Sequence, residues 1–353
     1  MKIRFGTRGS ALARKQTDMV IEHLKSCLEA DKGSGHGVPE FKAHIEIIKT
    51  SGDWTPGMEE KRLSSDKGGK GQFTNALENA LLNGDIDIAV HSLKDVPSDI
   101  SHETSLSHFL VSGEDRDVFI SNKAGLPDDL PKDAVIGTAS LRREALIRHL
   151  WPHLDVQVLR GNVPTRLEKL DDGQVDGLIL AGAGLMRLGL EDRVQAFLSA
   201  GKFVPCAGQG IIGLQTMKNS SQIQKILKPL SSHISAQRAF IERGFLSRIN
   251  GSCHTPIGIN ARHTPRSGEQ EGPWHIYLFI GDPQGRYQYI RSWVRDIPDI
   301  DAAWRCGARL AGGVLEEIEP LHLKELGLGP YKDIGNHLPG QDEEQEADSA
   351  KKQ

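Results

Sequence analysis

The chain has 353 residues, of which 38% are hydrophobic and 25% charged, and a formal net charge of −4 at pH 7. These proportions are typical of a folded protein, and the length predicts two or three domains rather than one core. The near-neutral charge, without a basic block, argues against a nucleic-acid-binding protein.

The sequence also lacks the features of a membrane or metal protein. No stretch approaches the ~20 apolar residues of a membrane span, and the N-terminal MKIRFGTRGSALARKQ has no apolar signal-peptide region. We therefore expect a cytoplasmic protein without a membrane partner. The four cysteines, Cys27, Cys206, Cys253 and Cys306, are far apart and show no CxxC spacing, so no metal site is predicted.

The first two-thirds of the chain alternates predicted strands and helices. The predicted elements are strands at 3–7, 45–50, 86–90, 118–121, 135–137, 156–159 and 178–181, and helices at 10–30, 72–83, 140–150 and from 165. This alternation indicates parallel sheets covered by helices, in two α/β lobes that split near 112–116. After Val204, the segment GQGIIGLQT predicts a strand that returns to the first lobe, which would make a double hinge.

The last third of the chain has a different pattern. Residues 257–261, 275–281 and 289–294 alternate as antiparallel strands do, and 301–318 reads as a closing helix, which together predict a small α+β domain. Residues 263–273 are expected to form a polar hairpin loop. The predicted domains are 1–111 with 208–230 (lobe 1), 116–204 (lobe 2), 233–328 (α+β domain) and 329–353 (disordered tail).

Cationic and hydroxyl side chains cluster where predicted strands give way to helices, the place where α/β proteins bind ligands. These residues are Arg8, Ser10, Lys70, Thr138, Ser140, Arg142, Arg143, Arg160 and Arg166. Arginine presents a fork of donors that matches a carboxylate, so the cluster predicts a ligand with several acid groups. Ordinary surface ion pairs and a phosphate ligand are the alternatives, although GGKG is not a P-loop.

Two further motifs offer reactive groups. In HSLKDVPSD, Asp95 reads either as a turn residue paired with Lys94 or as a cleft carboxylate that exchanges protons and stabilises a cation. In NGSCHTPIG, the small and polar neighbours of Cys253 predict exposure and hence a covalent site, whereas a free cysteine is more often a small buried hydrophobe. The residues alone leave both alternatives open.

Five motifs follow one another in a single order: GKGQFT, HSLKDVPSD, TASLRRE, LRGNVPTRLEKLD and NGSCHTPIG. From about residue 3 to about residue 328 the chain resembles the hydroxymethylbilane synthase (porphobilinogen deaminase) family. The resemblance implies two periplasmic-binding-protein-like lobes and a small third domain. It also implies a transferase of tetrapyrrole (haem) biosynthesis, which condenses four porphobilinogen molecules head to tail, releasing four ammonia and, with water, linear hydroxymethylbilane.

The resemblance further implies site residues and a cofactor. Asp95 matches the catalytic aspartate, and Cys253 matches the cysteine that holds a dipyrromethane cofactor through a thioether. The implied cofactor- or substrate-binding positions are Arg8, Ser10, Lys70, Phe73, Lys94, Thr138, Ser140, Arg142, Arg143, Arg160, Gly161, Asn162, Arg166, Arg187 and Gln209. The family implies a monomer whose partner is the small molecule porphobilinogen.

Some positions depart from the usual family pattern. Gln72 replaces a leucine, Ala139 a serine, Cys206 an alanine and Ser252 a glycine. None of these changes removes a charge, so we expect activity to survive. Two other functions are alternatives: a non-catalytic anion-binding protein, which would explain the arginines but not Cys253, and a ligand-sensing regulator, which would need a DNA-binding element that neither terminus offers.

Overall fold

The computed structural model describes residues 1–31, 41–50, 74–251, 255–265 and 272–328. The strands in these ranges are β1 Lys2–Thr7, β2 Lys42–Ile47, β3 Ile88–Ser92, β4 Thr104–Phe109, β5 Asp117–Ile120, β6 Val135–Gly137, β7 Asp155–Gln157, β8 Gly177–Ala181, β9 Ala196–Phe197, β10 Ile212–Met217, β11 Ile257–His263, β12 Trp274–Gly281 and β13 Gln288–Arg295. The helices are α1 Ala11–Asp31, α2 Asn75–Leu82, α3 Leu141–Leu150, α4 Val163–Asp171, α5 Gly182–Arg187, α6 Ser221–Leu227, α7 His233–Ile249, α8 Ile300–Glu317 and α9 Pro320–Glu325.

The first lobe is built on a five-stranded sheet with the order β2-β1-β3-β10-β4. β1 pairs in parallel with β2 and β3, whereas β10 is antiparallel to β3 and β4. Apolar residues of the central strands, such as Phe5 and Leu214, pack with Leu24 of α1 in a core with no solvent exposure. β10 lies between β3 and β4, so the predicted return of the chain to this lobe is confirmed.

The second lobe repeats this plan in the order β7-β6-β8-β5-β9. β6 pairs in parallel with β7 and β8, and β5 pairs antiparallel with β8 and β9. The prediction of parallel sheets is therefore right for three neighbouring strands of each sheet, β2-β1-β3 and β7-β6-β8, and wrong for β5 and β10. Each of these two strands enters its sheet directly after the chain has crossed from the other lobe, and it enters from the opposite end.

The third unit is an antiparallel sheet, β11-β12-β13, covered by α7 and α8. The two helices approach closely, because Gly244 of α7 faces the backbone of Trp304 and Gly307 of α8 faces the backbone of Ile241. Phe279 of β12 reaches the core of the second lobe, and Phe240 of α7 packs edge-on against Phe109 of the first lobe. The small domain therefore contacts both lobes.

The fold class predicted from the sequence is confirmed: two α/β lobes joined by two crossings, and a small C-terminal α+β domain. The predicted domain boundaries, taken as the ends of segments that fold independently, remain predictions. The predicted tail at 329–353 and most of the predicted hairpin loop lie outside the described residues. No helix in the described ranges is both long and apolar enough to span a membrane.

The close contact of α7 and α8 predicts how glycine substitutions affect stability. A Cβ at Gly307 would overlap the carbonyl oxygen of Ile241, which is backbone and cannot move aside. We expect Gly307→Ala to lower the free energy of unfolding by about 1–3 kcal/mol. Gly312→Ala, in the same helix, meets no atom within 4 Å and should stabilise by about 0.5–1 kcal/mol. Urea denaturation of both variants checks this, and equal values would contradict it.

Candidate active site

A cavity of about 540 Å³ lies between the two lobes. From the first lobe it is lined by the segment joining β1 to α1 and by the end of β3 with the turn after it. From the second lobe it is lined by the loops after β6, β7 and β8. These are the carboxyl ends of parallel strands, where two helices, α1 and α4, begin and present their backbone N–H groups.

Nine of the predicted site residues lie on the wall of this cavity. They are Arg8, Ser10, Lys94, Asp95, Arg143, Arg160, Gly161, Asn162 and Arg166. Local structure explains several of the positions: Ser10 Oγ accepts from the backbone N–H of Ala13 at 3.3 Å, and Asn162 Oδ1 accepts from that of Thr165 at 2.9 Å, so each caps a helix that starts at the cavity.

Asp95 is the last residue of a short 3₁₀ turn, Leu93–Asp95, that directly follows β3. Its carboxylate Oδ2 lies 3.6 Å from Nη1 of Arg8, and about one third of its side chain is exposed. The ion-pair partner of Asp95 is therefore Arg8 rather than its neighbour Lys94. A carboxylate at the cavity wall, partly open and next to a cation, can accept or release a proton and can stabilise a positive charge.

Lys94 is half-buried on the same turn. Loss of hydration lowers the pKa of its ammonium group, and the nearby charge of Arg143 lowers it further, while Asp95 and Asp117 act in the opposite direction. The lysine thus connects this turn electrostatically with the second lobe.

Arg142 and Arg143 are adjacent in sequence but have different positions. Nε and Nη2 of Arg143 donate to Asp117 Oδ1 at 3.0 and 2.8 Å, and Arg143 lines the cavity. Nη1 of Arg142 donates to Asp117 Oδ2 at 2.8 Å and to the carbonyl of Val204 at 2.7 Å. Arg142 is almost completely buried and lies behind the wall, so the structure does not place it on the predicted ligand surface.

Asp117 was not among the predicted site residues, yet it holds both arginines. It has no solvent exposure. Burial alone would raise the pKa of its carboxyl, but the charges of Arg142 and Arg143 keep that pKa below its usual range. The sequence signal for this role is only the acidic start of a buried strand, in DRDVFI.

Four other predicted residues support the site from outside the cavity wall. Thr138 Oγ1 accepts from the backbone N–H of Ser140, and Ser140 Oγ caps α3 through Arg143 N at 3.4 Å. Arg187, at the end of α5, donates from Nη2 to the carbonyl of Gly210 in the second crossing, and Gln209 of that crossing donates from Nε2 to the carbonyl of Asp115 at 2.8 Å. Burial lowers the pKa of Arg187 to about 10.

The remaining predicted residues, Lys70, Phe73 and Cys253, lie outside the described residues, as do Gln72 and Ser252. Their roles stay predictions. Among the residues that the structure does describe, no group of three His, Cys, Asp or Glu side chains could hold a metal ion.

His91 lines the cavity and was not predicted as a site residue, although it lies in the HSLKDVPSD motif. Its Nε2 is 3.0 Å from Oε1 of Gln215, whose Nε2 donates to Glu78 and Thr104. Because Oε1 of Gln215 can only accept, this network assigns the proton of His91 to Nε2. Burial lowers the pKa of His91 to about 4, so the ring is neutral at pH 7.

The charge balance of the cavity is strongly cationic. Arg8, Lys94, Arg143, Arg160 and Arg166 line it, and Asp95 is the one carboxylate among its described lining residues. The helix starts at the cavity add further partial positive charge. Such a surface suits a ligand that carries several carboxylates.

Comparison with known proteins identifies the family. The model for "Porphobilinogen deaminase, dipyromethane cofactor binding domain" matches residues 3–225. The porphobilinogen deaminase of Nitrobacter hamburgensis is 43% identical over 257 residues, which cover 73% of this chain and 78% of the relative. That of Nitrobacter winogradskyi matches with the same identity and coverage. The chain belongs to the porphobilinogen deaminase family, so the resemblance predicted from the five motifs is confirmed.

The chain also matches solved structures at low sequence identity. A nutrient-binding protein from Burkholderia cenocepacia bound to methionine is 13% identical, with a TM-score of 0.39, over 67% of this chain and 94% of that chain. The methionine-binding protein MetQ is 13% identical, with a TM-score of 0.40, over 67% and 93%.

The buried neutral state of His91 predicts a pH dependence of stability. The unfolded chain binds a proton at the ordinary histidine pKa of 6.5, whereas the folded chain does not until about 4. The unfolded state therefore binds more protons in this window, and stability falls as pH falls through it. Between pH 7 and 5 the loss should be about 2 kcal/mol.

The measurement is the free energy of unfolding at pH 7 and pH 5 for the wild type, His91→Gln and His23→Gln. His23 is exposed on α1 and serves as the control. The decrease should be smaller by about 2 kcal/mol in His91→Gln alone. Equal decreases in all three proteins would show that His91 is not held neutral.

Proposed function

We propose that this protein is a hydroxymethylbilane synthase, a transferase that condenses four porphobilinogen molecules head to tail and releases linear hydroxymethylbilane with water. The observation that supports this best is the cavity wall, where the described lining residues include five cations and one carboxylate, Asp95, in a member of the porphobilinogen deaminase family. Each porphobilinogen carries an acetate, a propionate and an aminomethyl group. A growing chain of such units is a polyanion, which the cationic wall suits.

We assign the binding of carboxylates to Arg8, Arg143, Arg160 and Arg166, with Lys94 as an additional cation. Charge-assisted hydrogen bonds of this kind contribute roughly 1.5–3 kcal/mol each. Because Arg143 is held by Asp117, its guanidinium is positioned before a ligand binds, which reduces the entropy cost of binding. Lys70 and Phe73 extend this set as predictions from the sequence.

Asp95 is assigned the catalytic role. The substrate's aminomethyl group is a primary amine and is protonated at neutral pH, so it is attracted to the carboxylate. When the carbon–nitrogen bond breaks, its electron pair leaves with ammonia, and the positive charge remains on the pyrrole. The Asp95 carboxylate then stabilises this cation and can accept the ring proton that is released once the new carbon–carbon bond has formed.

The dipyrromethane cofactor fits the same wall, because its two pyrrole units carry the same acetate and propionate groups that the arginines suit. When bound, it supplies the pyrrole carbon at which the chain starts to grow. We assign its attachment, by a thioether, to Cys253. The residues of this chain would orient it through the cations of the cavity and keep its carboxylates paired.

We also propose that the enzyme acts in the cytoplasm as a monomer, with porphobilinogen as its partner and without nucleic acid. The absence of a basic block and the family membership support this proposal. Light scattering of the purified protein measures the oligomeric state.

Asp95→Asn tests the catalytic assignment, because it keeps the size of the side chain and removes its charge. We expect the turnover of porphobilinogen, followed as ammonia release, to fall by about 10²–10⁴-fold with the thermal unfolding temperature nearly unchanged. Asp99→Asn, four residues along the same segment and not on the cavity wall, is the matched control and should keep its activity. A fully active Asp95→Asn protein would contradict the catalytic role assigned to Asp95.

The cofactor assignment is tested by intact mass. We expect the wild-type protein to carry an adduct of two linked pyrrole units, and Cys253→Ser to lack it. Cys27→Ser and Cys306→Ser, whose cysteines are half-buried elsewhere, should keep it. An adduct retained on Cys253→Ser would show that the cofactor is attached to a different residue. If the wild type is unmodified, incubation with porphobilinogen should load it, and failure to load would contradict the proposed function.

A further inference from the structure

Arg243 is a buried arginine that the proposed function does not use. It lies on α7, in the third unit of the fold, and only 7% of it is exposed. Its Nη1 donates to the carbonyl of Val96 at 3.2 Å, and its Nη2 donates to the carbonyls of Pro97 at 2.8 Å and Ser98 at 3.4 Å. One guanidinium thus holds three successive carbonyls of the segment that directly follows Asp95.

The electrostatic setting of Arg243 is unusual. Burial lowers the pKa of its guanidinium to about 10, and no carboxylate within the described ranges forms an ion pair with it. Arg238, five residues earlier on the same helix, is also buried but has the carboxylates of Glu242 and Asp115 as partners. A buried charge normally needs such a partner, so the fold retains Arg243 at a cost to its stability.

Asp95 ends a 3₁₀ turn of three residues, whose first residue, Leu93, donates its backbone N–H to Ile211 O at 3.0 Å. On the other side of Asp95, the backbone N–H of Val96 donates back to Leu93 O at 3.0 Å, and the Val96 side chain is buried. After Asp95 the chain enters Val96 and Pro97, and proline has no N–H to donate. The carbonyls of residues 96–98 are further anchors for this side of Asp95, and Arg243 binds all three.

The position of Arg243 in the chain links two parts of the site. α7 ends at Ile249, six residues or about 9 Å beyond Arg243, and Cys253 follows four residues later. The same helix therefore contacts the segment behind Asp95 and leads to the residue assigned to cofactor attachment. Arg243 therefore joins the segment that follows Asp95 to the last two turns of α7.

We propose that Arg243 is a positioning residue for Asp95: its fork of donors fixes the 96–98 carbonyls and thereby the place of the Asp95 carboxylate against Arg8. This inference rests on the proposed function. Lysine cannot replace the fork, since it is a point charge that would not reach the three carbonyls together. The role concerns the reacting geometry and not the binding of substrate carboxylates, because Arg243 is not on the cavity wall.

The experiment compares steady-state kinetics of wild type, Arg243→Lys, Arg243→Ala and Arg291→Ala. We expect kcat to fall by about 10- to 100-fold in both Arg243 variants, with KM within about twofold and the cofactor adduct retained, because a displacement of about 1 Å suffices for such a loss. Arg291 is a half-exposed arginine of the same unit, paired with Glu317, and its variant should remain active.

Two readouts separate positioning from a purely structural role. Guanidinium ion at millimolar concentration should restore part of the kcat of Arg243→Ala, whereas sodium chloride at the same ionic strength should not. Backbone amides at 93–99 should exchange hydrogen faster in both Arg243 variants than in Arg291→Ala. If Arg243→Ala fails to fold, the kinetic and hydrogen-exchange measurements are made on Arg243→Lys alone.

The outcomes are distinct. Unchanged kcat in Arg243→Lys, or unchanged exchange at 93–99, would overturn the inference. Loss of the adduct in the Arg243 variants would also overturn it, since it would place Arg243 in cofactor loading. A wild type that neither loads nor consumes porphobilinogen would refute the proposed function and this inference together, whereas an active wild type with equally active Arg243 variants would refute the inference alone.

Discussion

The buried carboxylate of Asp117 is the interaction on which the site depends. It lies at the start of β5, just after the chain first crosses between the lobes, and it accepts hydrogen bonds from Arg142 and Arg143. Arg142 in turn donates to Val204, where the second crossing begins. Gln209, within that crossing, lies 3.3 Å from the same carboxylate. One buried charge therefore joins both crossings to a residue of the cavity wall, and removing it would leave two buried cations uncompensated.

A second set of buried charges extends this arrangement to the third unit. Asp115 pairs with Arg238 and Arg262, and Glu242 accepts from the backbone N–H groups of Gly208 and Ala261. Burial outweighs the charge of Arg238 and raises the pKa of Glu242. Ion pairs of this kind contribute little net stability, because desolvation offsets their attraction. Their effect here is geometric, since Asp115 fixes the first crossing against α7 and β11, and Glu242 fixes the second crossing, at Gly208, against α7.

Much of the site could be predicted because parallel strands end together. Arg8, Asp95 and Arg160 lie far apart in sequence but follow strands whose carboxyl ends meet at one cavity. The different positions of Arg142 and Arg143 could not be predicted, because they depend on a carboxylate 25 residues away. Helix α7 was not predicted at all. Its buried face includes Arg238, Glu242 and Arg243, so it lacks the apolar periodicity by which helices are recognised.

The charge arrangement of the cavity also bears on the role proposed for Asp95. Asp117 is buried behind the cavity wall and accepts from Nε and Nη2 of Arg143. Among the described lining residues of the cavity, the carboxylate is therefore that of Asp95. At about 4 Å, two unit charges near a protein surface interact by roughly 4 kcal/mol at an effective dielectric constant of 20. A ligand with acid groups at one end and an ammonium at the other is therefore repelled by Asp95 through its acids and attracted through its amine. Under the proposed assignment of Asp95, the wall thus sets the orientation of such a molecule before any bond is broken, with its leaving group at Asp95.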